Sequence, residues 1–72
     1  MEAYQQRVVD EKTELDAKLS RLDDFLRSEK FESLTERQKS LMHSQQNHMR
    51  LYSDVLGMRI ADFMGTAAAP TA

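Results

Sequence analysis

The residues best equipped for chemistry are Tyr4, Arg7 and Glu11, whose i, i+3, i+7 spacing sets them on one side of a helix. An antiparallel return of the chain brings Arg59, with Tyr52, toward the same end. The combination suits a nucleotide: arginine binds phosphate bidentately, tyrosine stacks on a base, and a carboxylate accepts from a base amino group or orients the arginine. The same spacing has a plainer reading, an Arg7–Glu11 ion pair at i, i+4 on a solvated helix. Spacing alone leaves both open.

No catalytic set is recognisable elsewhere. His43 and His48 are five residues apart, which turns them about 140° from one another on a helix and denies a metal ion a shared face. The chain has no cysteine, no glycine-rich phosphate loop, and no serine with a histidine and a carboxylate in a known arrangement. An enzyme is not expected, and neither is a metal or cofactor; only symmetry, building one site from several chains, would supply a reaction centre. Twelve acidic and ten basic residues leave a net charge of −2, so no long-range field draws a nucleic-acid polymer. The stretch Ser40 to Met49 carries no lysine or arginine to hold phosphates, unlike a DNA-reading helix.

The elements that must position these residues are two amphipathic helices. In the first, about 3–27, Val8, Leu15 and Leu22 repeat every seven residues, Leu19 and Leu26 follow four after the last two, and Tyr4 and Phe25 flank the stripe. Glu11 and Lys18 stand beside this stripe where apolar residues would ordinarily be. Register control, contact with another subunit or a binding site would explain them, and so would a solvated flank or a structural ion pair. The segment 28–35 reads as a turn, with Phe31 and Leu34 plugging the closed end against Leu22, Phe25, Leu26, Leu41 and Met42. Thr35 with Gln38 fits a capping box, and Ser33 with Glu36 is a competing one.

In the second helix, about 36–63, Met42, Met49, Leu56 and Phe63 repeat every seven residues, with Tyr52 and Ile60 on the same face. Leu51, Val55 and Met58 form a further apolar set that one partner helix cannot also cover. Gly57 costs roughly 1 kcal/mol in a helix interior relative to alanine, and close helix approach would account for it. Residues 1–64 are thus expected as one helical hairpin and 65–72 as a flexible tail. With 72 residues and no disulfide, a lone hairpin buries too little apolar surface to be secure. The expected fold is all-α, an antiparallel two-helix hairpin assembling into a helical homo-oligomer. No apolar leader or membrane-spanning stretch is visible, which suggests a cytosolic protein without a membrane partner.

The string from Tyr4 to Leu19, followed by Phe25, Phe31 and Leu34 and then by Gln45, Met49, Tyr52, Leu56, Arg59 and Ile60, resembles a family of small phage helical hairpins. That family includes the anti-CBASS cyclic-nucleotide sponge and the helical hairpin of an anti-Thoeris sponge, which sequester second messengers of bacterial immunity. The resemblance implies a hexamer with ligand pockets between subunits in the cytoplasm of an infected bacterium, holding cyclic dinucleotides, and cyclic trinucleotides in some members, without cleaving them. A chain that is expected to lack the further domain of the anti-Thoeris protein is not expected to bind cyclic ADP-ribose derivatives. On this reading Tyr4 stacks on a base, Arg7, Lys18 and Arg59 contact phosphate, Glu11 contacts a base or orients an arginine, and Lys12 and Tyr52 are further contacts. The alternative is a structural or adaptor hairpin whose second apolar face docks a host or phage protein.

Overall fold

The computed structural model describes residues 1–65. They form helix α1 (Ala3–Leu26), a single helical turn α2 (Glu29–Glu32) and helix α3 (Glu36–Phe63), with no strand among the described residues. Beyond residue 65, the expected tail lies outside the described residues.

Local chemistry explains where each element starts and stops. At the start of α1 the Gln5 side chain accepts from the Glu2 backbone N–H at 2.8 Å, satisfying one of the donors that a helix start leaves unpaired. Ser28 begins α2 by accepting from the Phe31 N–H at 3.4 Å, so the segment expected as a simple turn contains a capped helical turn. Of the two capping boxes readable in the sequence, the one from Thr35 to Gln38 starts α3: the Gln38 N–H donates to Thr35 Oγ1 at 3.1 Å and the Thr35 N–H to Gln38 Oε1 at 3.0 Å. Ser33 is used up at the end of α2, where its hydroxyl donates to the Lys30 carbonyl at 2.7 Å. Past α3, Gly65 adopts φ +74°, a left-handed conformation that costs glycine nothing and ends helices commonly.

The two long helices lie side by side and run in opposite directions, because early residues of α1 meet late residues of α3. Tyr4 meets Phe63, Asp16 meets Ser53, and Asp23 meets Gln46. Val8, Leu15 and Leu56 form the buried core, with Met49, Ile60 and Phe63 packed against it. Leu56 is fully buried; removing such a side chain costs about 2–5 kcal/mol. Phe31 closes the opposite end, edge-on to Phe25 at 6.3 Å and to His43 at 5.3 Å, with the Lys39 ammonium 5.8 Å from its ring centroid. Leu41, expected in that plug, is 54% exposed instead.

The molecule measures 46 × 24 × 15 Å. Among the described residues no third long helix stacks on the α1–α3 pair, so the chain supplies one layer of helices where a self-sufficient domain stacks two. Leu51 and Val55 are consequently about half exposed, at 55% and 49%, and Met58 is 43% exposed. Gly57 is not a point of backbone contact: a Cβ there would meet Lys12 Cε at 3.5 Å, ordinary van der Waals distance.

Candidate functional site

The groove between α1 and α3 has two edges of different chemistry. One is stitched by hydrogen bonds. Lys12 Nζ donates to Ser53 Oγ at 2.8 Å and to Asp16 Oδ2 at 3.0 Å, and the Ser53 hydroxyl donates to Asp16 Oδ1, closing a triangle across the helix pair. Ser53 is buried, at 5% exposure, and the triangle satisfies it fully. One heptad further, Gln46 Nε2 donates to Asp23 Oδ1. The Asp16 carboxyl is held below the usual carboxylate range, first by the Ser53 hydroxyl and then by the Lys12 ammonium, against a smaller opposing effect of burial.

The other edge carries the aromatic and cationic residues. At 100° per residue, Tyr4, Arg7, Glu11 and Lys18 stand roughly 80–140° from Lys12 on one side of α1. Tyr52, Arg59 and Phe63 stand roughly 80–120° from Ser53 on one side of α3. The edge-to-face contact of Tyr4 with Phe63, at 6.4 Å and 74° between planes, joins those two sides into one face. Tyr4 is 54% and Tyr52 46% exposed, leaving aromatic surface open for stacking.

The charged members of this face are unspent. Arg7, Glu11, Lys18 and Arg59 are all exposed, and none of their side chains makes a hydrogen bond or ion pair among the described residues. The Arg7–Glu11 pair that the spacing allows is therefore not formed. Lys12 differs from the rest, because its ammonium is engaged by Asp16 and Ser53 on the opposite edge. Along the helix axis, Tyr4 and Lys18 are separated by about 21 Å, at 1.5 Å per residue.

Glu11 and Lys18 were the residues whose position beside the stripe suggested polar interruption of the helix contact, yet both point to solvent. The interruption sits at Lys12, Asp16 and Ser53. Ser53 was legible only as a polar residue three before Leu56 in the same stripe, a signal easily lost among the methionines. Among the described residues no three potential metal ligands converge, and no helix is long and apolar enough to cross a membrane.

A protein of phage T4, described as an uncharacterized 7.5 kDa protein in the denB-rIIB intergenic region, is 40% identical over 63 residues, covering 88% of this chain and 98% of its own length. No solved structure gives a significant match. The model of the Sequestin family matches residues 2–62, so nearly all of both long helices is included, and the chain belongs to the Sequestin family.

Proposed function

We propose that this chain is a phage anti-defence sponge that binds cyclic oligonucleotide second messengers in the cytoplasm of an infected bacterium and holds them without cleavage. Cyclic dinucleotides are its principal ligands and cyclic trinucleotides a second class, as in anti-CBASS sponges. The observation that carries this reading is the unspent edge: three cations, Arg7, Lys18 and Arg59, share a face with Tyr4 and Tyr52 and have no protein partner among the described residues. Exposed arginines and a lysine supply phosphate contacts, and half-exposed tyrosines supply stacking surfaces. The family name points the same way, toward sequestration rather than conversion, and the phage T4 relative is consistent with a phage setting.

The functional unit is a homo-oligomer of antiparallel hairpins, a hexamer by resemblance. The separation between Tyr4 and Lys18 supports pockets built from different subunits, Tyr4 of one chain and Lys18 of another closing on one ligand. The exposed Leu51, Val55 and Met58 serve the subunit contacts, since apolar patches of this kind mark interfaces. They also sustain the adaptor alternative, in which the same face docks a different protein.

Gel filtration of the purified protein with a cyclic dinucleotide separates the two readings. A sponge carries the nucleotide into the oligomer peak, and Lys18→Ala or Arg59→Ala reduces the amount carried at unchanged elution volume. An adaptor elutes without nucleotide whichever cation is removed.

A further inference from the structure

We propose that Ser53 is a positioning residue for the ligand-facing edge: through Lys12 and Asp16 it holds α3 in one rotation about its own axis, an inference that rests on the sponge reading above. The apolar contact between the long helices is small. Its buried residues are Val8, Leu15 and Leu56, and smooth aliphatic packing of this kind loses uniqueness before it loses stability. Hydrogen bonds are directional where such packing is not. The triangle of Lys12, Asp16 and Ser53 crosses from one helix to the other, so turning α3 either way breaks it.

Rotation is the movement to which the ligand edge is most sensitive. Tyr52 and Arg59 stand roughly 100° and 120° from Ser53 on the same side, so any turn of α3 at Ser53 swings both relative to Tyr4, Arg7 and Glu11. Gly57 lies beside the Lys12 stem, whose Cε is 3.5 Å from where a Cβ would stand. Lys12 is thereby a residue that orients the edge rather than one that touches the ligand.

The test uses the full chain and 3′,3′-cyclic GMP–AMP as the probe. Lys12→Met with Ser53→Ala removes the triangle and leaves Asp16 to water, which already reaches its side chain. Lys12 and Asp16 are partly exposed, where an ion pair contributes little to stability, and methionine keeps most of the Lys12 stem, so the thermal midpoint should hold while affinity falls about tenfold, the scale of coupling between residues that share one network. Ser53→Thr with Lys12 intact, which retains the hydroxyl, should bind as the wild type does. A second arm needs no ligand: with no native cysteine, Asp23→Cys paired with Gln46→Cys reports how steadily the stitched edges face each other. The disulfide should close more slowly once Lys12→Met and Ser53→Ala are added. An affinity loss that merely tracks the thermal midpoint, unchanged affinity in the double variant, or equal closure rates in both backgrounds overturns the proposal. Failure of the wild-type protein to hold the probe counts against the sponge reading, and the positioning claim is then decided by the disulfide rates alone.

Discussion

Replacing Arg7 with alanine should separate binding from folding. Arg7 is exposed and makes no hydrogen bond or ion pair among the described residues, so its removal takes away no core volume and leaves no buried partner behind. Surface substitutions of this kind stay within about ±0.5 kcal/mol of wild-type stability. Binding should respond differently. A hydrogen bond to a charged group contributes about 1.5–3 kcal/mol, which at about 1.4 kcal/mol per factor of ten is a loss of roughly ten- to a hundredfold in affinity. Titration calorimetry reads the affinity, circular dichroism the helicity, and light scattering the oligomer size. Tyr4→Ala is a less clean probe, because the Tyr4 ring also packs on Phe63 and such an aromatic pair adds about 0.5–1.5 kcal/mol beyond the area it buries. Tyr4→Phe keeps both the ring contact and the stacking surface and should be milder. Wild-type affinity in Arg7→Ala and Tyr4→Ala together would put the pocket elsewhere; loss of helicity in Arg7→Ala would show that Arg7 has a structural role absent from this account.

Three further outcomes follow from the packing. Val55→Glu should dissolve the oligomer into smaller species seen by light scattering, since it places an unpaired charge on the half-exposed apolar face of α3; an unchanged mass would free that face from subunit contact. Gly57→Ala should raise thermal stability by about 0.5–1 kcal/mol, because alanine favours the helix and its Cβ meets only Lys12 Cε at 3.5 Å; destabilisation would mean that the helices approach more closely in the assembly. Acid should weaken the helix pair partly through Asp16. Its folded pKa is lowered, so its stabilising contribution is present above the unfolded carboxylate value of about 3.9 and is lost as pH falls below it through the lowered folded value. Asp16 is about half exposed, which keeps the effect modest, and Asp16→Asn should flatten that portion of the pH–stability curve.

The helices were legible because their apolar residues recur at sevens, and Thr35 with Gln38 marked the start of α3. The choice against Ser33 and Glu36 is not legible, because both boxes satisfy the same rule; what decides it is that Ser33 caps the end of α2, a helical turn hidden inside an apparent loop. The stitched edge was missed for a related reason. Steps of three and four run through Val8, Lys12, Leu15, Leu19, Leu22 and Leu26 on one helix and through Met42, Gln46, Met49, Ser53, Leu56 and Ile60 on the other. Reading only the apolar members of these rows conceals the polar positions between them, Lys12 and Ser53 above all. Tyr4, Arg7, Glu11 and Arg59 could be grouped from spacing, but the absence of an Arg7–Glu11 pair depends on rotamers that no spacing rule contains.

Sequestration without cleavage is tested by incubating the purified protein with a panel of cyclic di- and trinucleotides, removing unbound ligand, denaturing the protein by heat and identifying what is released by chromatography. A sponge retains at least one cyclic dinucleotide in fixed proportion to the chain and releases it intact. Retention of none, or linear products that increase with time and protein concentration, would contradict it.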